Sequence, residues 1–399
     1  MMLTDTLEFA DRRLDAAAAA GFALSAGVLA NREALDALAD RWLSLEIASS
    51  DTGLFQSLGW ARAIYDFEAS RGNKDFDPVI VTLEQGRRLV GILPLERIRT
   101  LSRTVLVPLG NAFGQYAGAL LAPGVDARAA IDTMLAKAIG SGPCDFVSLL
   151  KVRDGSALDR GLPPTKATTG AEQGAPFVAL DGFADFASYF QTIRTKTRKN
   201  MRNARNRLER EGHVEHRLVT DPAERLALVD RTLSGRAERL RDQGLTSRAF
   251  RDSGFPQFCR SLVGRNDVTL AAFSLTHEGK PIAEQWGFVH AGRYYAFIAS
   301  RDFSNSEESP GKLHLGEILE ACSEMGIVGC DLGVPAMPYK LTFATQTVTV
   351  RDYALPVTPK GWMIIHLWDM RLRPALKALA MRMPSDWRSR VMKLFGHGH

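Results

Sequence analysis

Four groups of residues have types and spacings that could do chemistry. The first is a basic run, in which Arg194 to Glu211 carries eight bases against two acids. Apolar residues at Phe186, Phe190, Ile193, Met201, Ala204 and Leu208 form a helical stripe, and Gly212 supplies a stop. At ~100° per residue, Arg194, Arg198, Arg202 and Arg205 fall beside that stripe, so four guanidiniums line one edge of a packed helix. Such a row grips phosphates or carboxylates, with Arg198 and Arg202 as the central pair; the plainer alternative is a solvated face. The second group is Ser309-Pro310-Gly311-Lys312 ahead of an apolar-periodic stretch. Ser309 suits a helix N-cap and Pro310 the first helical position, and the free N–H groups there with Lys312 favour an anion. The third is Glu284, which strand alternation sets among Ile282, Trp286 and Phe288. A carboxylate in that company is either a desolvated general base or the partner of a buried arginine. The fourth is DLGVPAMPYKLTF, from Asp331 to Phe343. Asp331 ends a buried strand, Gly333 breaks it, and Tyr339-Lys340 follow, where Lys340 can stabilise charge on a carbonyl and Tyr339 can protonate a leaving thiolate.

The elements that must position these groups repeat. VTLEQGRRLVGILPL, from Val81, and FSLTHEGKPIAEQWGF, from Phe273, are each a strand, a glycine turn, a basic residue and a return strand. The order helix, helix, hairpin, strand, helix, strand occurs twice, which predicts an α/β chain of two similar halves with mixed twisted sheets flanked by helices. The expected division is an Ala-rich arm over 1–40, halves over 41–180 and 181–358, and a basic helical tail over 359–399.

Composition limits the alternatives. The 399 residues are 45% hydrophobic and 24% charged, which excludes a disordered chain or a fibre. Four scattered cysteines without a CxxC pair fit neither a disulfide scaffold nor a cysteine zinc site, and no HExxH or GxSxG occurs. No metal is expected. The longest early uncharged run, Ala16 to Ala30, is shorter than the ~20 residues a spanning helix needs, and the acidic residues before it argue against an export signal. The net charge of +5 is concentrated in the basic helix and in the segment from Lys360 onward, which carries eight bases and two acids. That tail mixes Trp362, Ile365, Trp368 and Leu372 with its bases; it suits either an anionic membrane surface or packing on the second half.

The strings TRKNMRNARNRLEREGHVEHRLV, GKPIAEQWGFVHAGRYYAFIASRD, SPGKLHLGEILEA and CDLGVPAMPYKLTFA, in that order, resemble the catalytic half of the GNAT-type acetyltransferases of cellulose and exopolysaccharide biosynthesis, the CelD family. LFQSLGWARAIYDF and VGILPLERI resemble its first half more loosely. That family is similar to the FemAB-type aminoacyl transferases, which hold two GNAT-like halves in one chain. The resemblance implies acyl transfer from acetyl-CoA or another acyl-CoA to a sugar, amino-sugar or peptide acceptor, in the cytoplasm or at the inner membrane face. It sets Ser309, Gly311 and Lys312 at the CoA pyrophosphate and matches Lys340 to the family's YK motif. The glycine-rich Q/R-x-x-G-x-G/A loop of GNAT proteins is absent. On these residues Glu284 is the candidate base, Tyr339 the acid, Lys340 the carbonyl stabiliser, Asp331 the group that orients the loop, and Arg198 and Arg202 the anion grips. The alternatives are a FemAB-like transferase that uses aminoacyl-tRNA, and a non-catalytic RNA-binding or assembly protein.

Overall fold

The computed structural model describes residues 23–245, 247–301 and 310–372. Fourteen strands form one sheet: β1 (Leu24–Val28), β2 (Pro78–Gln85), β3 (Arg88–Arg99), β4 (Thr104–Pro108), β5 (Leu120–Leu121), β6 (Phe146–Arg153), β7 (Ala167–Thr168), β8 (Gln173–Ala179), β9 (Val214–Val219), β10 (Thr269–His277), β11 (Lys280–His290), β12 (Arg293–Arg301), β13 (Gly329–Asp331) and β14 (Gln346–Pro356). Five helices matter most below: α1 (Leu58–Ser70), α2 (Ala127–Gly140), α3 (Thr195–Glu211), α4 (Pro222–Asp242) and α5 (Pro310–Glu324).

The expected repeat is present. An edge strand, helices, a hairpin, a third strand, a helix and a strand parallel to the third occur once with β1–β4, α2 and β6, and again with β9–β12, α5 and β13. Both hairpins turn at a glycine held at positive φ, Gly86 at +63° and Gly279 at +72°. In the second, Glu278 is also left-handed at +50°, so both central residues fit a type I′ turn.

Strand pairing joins the halves through an exchange. The sheet order is β1-β2-β3-β4-β6-β14-β8-β13-β12-β11-β10-β9. Strand β14 pairs with β8 through its first residues and with β6 through its last, while β8 also pairs with β13. The boundary drawn at 180/181 is therefore crossed twice: the last strand of the second half lies on the first, and β8 lies on the second.

The core crosses the same seam. Trp60 of α1 packs edge-on against Phe258 and Phe288, and Phe113 stacks on Phe258 at 4.5 Å. Each such aromatic pair adds about 0.5–1.5 kcal/mol beyond its buried area. Helix α1 comes so close that a Cβ on Gly59 would lie 1.9 Å from the Asp267 carbonyl oxygen. Gly59→Ala is therefore expected to lower stability by about 1–3 kcal/mol in urea unfolding, because backbone cannot yield as a side chain can.

Three expectations change here. Within the arm, residues 24–28 form β1 against β2, and Arg32–Ala37 and Ala39–Ala48 are helices with Leu35 and Trp42 fully buried. The helix expected from Phe186 to Leu208 is two, Phe186–Thr192 and α3, because Ile193 and Arg194 are extended at ψ 139° and 131°. The start of the tail packs on the first half: Lys360 pairs with Asp145 at 2.9 Å, and Ile365 is buried with Val105, Val107 and Phe146. Residues 373–399 of the tail lie outside the described residues. Among the described residues no helix is long and apolar enough to cross a membrane, and no group of His, Cys, Asp and Glu is set to hold a metal. All four cysteines are free and buried.

Candidate active site

The site forms where β12 and β13 part. They run parallel only as far as Tyr295 opposite Asp331; β12 then continues to Arg301 while the chain after β13 turns away at Gly333, whose φ is +68°. The β11–β12 register slips between Trp286 and Gly287, which leaves Phe297 without an opposite residue and bends the strand at this opening.

Asp331 is 2% exposed and gathers groups from both halves. One carboxylate oxygen accepts the Tyr116 hydroxyl at 2.9 Å and the Gly333 N–H at 2.8 Å. The other accepts Arg153, whose guanidinium lies 5.2 Å from the centre of the Tyr116 ring. Burial and the Asp331 charge push the Tyr116 hydroxyl well above its ordinary pKa, so it stays a donor. Its neighbour Gln115 reaches across to the Ala296 carbonyl at 3.3 Å.

Lys340 donates to the Gly333 carbonyl at 2.9 Å. Burial lowers its pKa to about 8; Asp331 opposes the shift and Lys151 adds to it. Lys151 sits at φ +55° at the far end of β6, with its N–H on Asp352 at 2.7 Å, and burial lowers it also to about 8. Tyr339 is 39% exposed and lies in the fields of Arg239 and Arg301. Gly311, in the first turn of α5, packs against Arg301, whose Cδ would lie a tight 3.3 Å from a Cβ there, and Lys312, next in the chain, is half-buried. Ser309 lies outside the described residues. Asp331 and Lys340 are thus brought together, while Tyr339 and Gly311 are both neighbours of Arg301.

Glu284 belongs elsewhere. It is 5% exposed and held by both arms of Arg231 on α4, at 2.6 and 3.0 Å. It is thus paired with an arginine, though one whose side chain is 47% exposed, while Thr232 of α4 takes the Trp286 N–H at 2.9 Å on the same face of β11. Glu284→Gln is expected to lower the melting temperature by a few degrees and leave any turnover within about threefold, because a fork on a carboxylate loses charge but keeps one hydrogen bond. A turnover loss above a hundredfold would return Glu284 to the chemistry.

Arg198 and Arg202 line a separate groove of about 800 Å³ between α3 and α5. Arg198 is engaged by Gln191 and Thr195. Glu317, Glu320 and Glu324 of α5 form the opposite wall, and Arg205 pairs with Glu317 and Glu209. The row of cations is therefore countered from another element.

Sequence reasoning missed Tyr116, Arg153, Gln115 and Lys151. All four belong to the first half, and no short spacing links them to Asp331.

Residues 195–341 match a family model described as an acetyltransferase (GNAT) domain. Among solved structures, FemX superposes with a TM-score of 0.58 at 10% identity, covering 87% of this chain and 100% of FemX. A conserved protein of unknown function from Bacteroides thetaiotaomicron gives 0.50 at 13% identity, covering 80% of this chain and 97% of its own. A tandem GNAT protein from the clavulanic acid biosynthesis pathway gives 0.47 at 12% identity, covering 84% and 99%. No curated protein sequence matches. With the internal repeat, the domain match makes the fold an α/β chain of two GNAT-like halves.

Proposed function

We propose that this chain is an acyltransferase that moves an acyl group, acetyl in the first instance, from a CoA thioester to an amine or hydroxyl acceptor. The observation that carries the reading is the cluster at the parting of β12 and β13, where Asp331 and Lys340, inside the segment that matches a GNAT domain, meet Tyr116 and Arg153 of the first half. In the transfer, the acceptor's nitrogen or oxygen bonds to the carbonyl carbon and gives its proton to solvent, the C–S bond breaks, and the thiolate takes a proton from Tyr339, which solvent then reprotonates. The Lys340 ammonium stabilises the carbonyl oxygen as it gains charge. Asp331 acts through others: it holds Tyr116, Arg153 and the Gly333 turn on which Lys340 rests. Ser309, Gly311 and Lys312 take the donor's pyrophosphate, and the first half completes the acceptor side. The acceptor is a sugar, amino sugar or peptide amine of polysaccharide or cell-envelope synthesis, and the work is done in the cytoplasm, with the basic tail available to an anionic membrane face.

The test pairs thiol release with thermal shift, using acetyl-CoA, longer acyl-CoAs and desulfo-CoA. Saturable thiol release and a raised melting temperature are expected, since a ligand of the folded state stabilises it. Neither with any CoA thioester would overturn the reading. Aminoacyl transfer from charged tRNA would replace the donor, and RNA binding that falls steeply with salt, without turnover, would replace the enzyme.

A further inference from the structure

A second pocket straddles the two halves. It measures about 400 Å³ and is enclosed by the end of α1, the end of β3, the 110–113 loop and the segment from Arg248 to Asp252. Most charges in its wall are already matched. Arg71 pairs with Glu68 at 2.8 Å, and Arg97 and Arg99 pair with Asp77 at 3.0 and 2.6 Å.

Glu96 and the exposed Asp75 are not. The Glu96 carboxylate accepts the Asn111 N–H at 3.0 Å and the Gly110 N–H, and no lysine or arginine among the described residues pairs with it. The guanidinium in its field, Arg248, gives its donors to Asn111 Oδ1 at 3.0 Å and the Gly114 carbonyl at 2.9 Å. Asn111 therefore stands between a carboxylate without a cation and a guanidinium without a carboxylate. Burial pushes Glu96 up to about 7, as befits a carboxylate that lacks a positive partner.

Behind Asn111 and Arg248 the packing closes: the space they share with Gln115 and Tyr116 is only about 10 Å³, less than a water molecule needs.

We infer that this pocket binds a small polar primary amine, with its ammonium on Glu96 and its hydroxyl or carboxylate groups toward Asn111 and Arg248. The inference does not rest on the acyltransferase reading. The same chemistry is offered by an amino sugar and by a free amino acid, and the experiment separates them.

The full chain is titrated calorimetrically, without any acyl donor, with glucosamine, with L-serine and with glucose as the amine-free control. One amine is expected to bind one-to-one and glucose at least tenfold more weakly. Glu96→Gln keeps an oxygen for the two backbone N–H groups and is expected to weaken the amine at least tenfold. In the unaltered chain, affinity for L-serine, whose amine stays protonated throughout, is expected to fall from pH 8 to pH 6 as Glu96 takes up a proton, a readout that needs no variant. Failure of both amines to bind, equal binding by Glu96→Gln, or affinity that does not change between pH 8 and pH 6 would overturn the inference.

Discussion

Asp331→Ala is expected to destabilise the chain by about 3 kcal/mol and to abolish acyl transfer together with it. The argument runs through what the carboxylate holds. It accepts a tyrosine hydroxyl, an arginine and a backbone N–H while itself 2% exposed. Its removal leaves the Arg153 charge without a partner and the buried Tyr116 hydroxyl without an acceptor, and each orphaned group costs more than its bond contributed. Both partners come from the first half, so the loss also loosens the seam. Asp331→Asn keeps an acceptor oxygen but not the charge, and is expected to recover part of the stability. Urea unfolding of Asp331→Ala, Tyr116→Phe, Arg153→Met and their doubles measures the coupling. Additive effects would mean that the three side chains are neighbours without being a network.

How much of this was legible in the sequence follows from the range of each interaction. The repeat could be read because its signals are local: strand–glycine–strand at Gly86 and Gly279, then an apolar helix and a buried strand. The Asp331–Lys340 stretch could be read because a strand end, a glycine and two prolines lie within ten residues. Tyr116 and Arg153 could not, since they reach Asp331 across 215 and 178 positions. Strand β8, QGAPFVA, hides because glycine and proline break its pattern, and it holds its place through neighbours on both sides. The break at Ile193–Arg194 carries neither glycine nor proline, and the apolar stripe runs on through it. The basic row of α3 shows only two acids in its own stretch of sequence because Glu317, Glu320 and Glu324 face it from α5, more than a hundred residues later. Short-range pattern thus reports elements, while charge balance is settled only once elements meet.

The second large effect falls on turnover and spares the fold. Lys340→Ala is expected to reduce kcat/KM by about 10²–10³-fold, the usual loss when one donor to a developing oxyanion is removed, with a melting temperature close to that of the unaltered chain. Stability changes little because two terms oppose. The ammonium gives one hydrogen bond to the Gly333 carbonyl, but its charged form is disfavoured by burial, which lowers its pKa to about 8. The sign of the pH dependence follows. Unfolded, a lysine titrates near 10.4, so between about pH 8 and that value the unfolded chain binds more protons than the folded one. The burial penalty of the charged form is therefore fully present below about pH 8 and is relieved as pH rises through this window. Lys151, lowered to about 8 as well, adds in the same direction. Activity runs the other way. If the ammonium stabilises the carbonyl oxygen, turnover falls above about pH 8 as Lys340 loses its proton, and that alkaline limb is absent from the residual activity of Lys340→Ala. Stability measured by urea at pH 7.5 and 9.5, beside a pH–rate profile, separates the two effects. An alkaline limb that persists unchanged in Lys340→Ala would assign it to another group and remove Lys340 from the reaction.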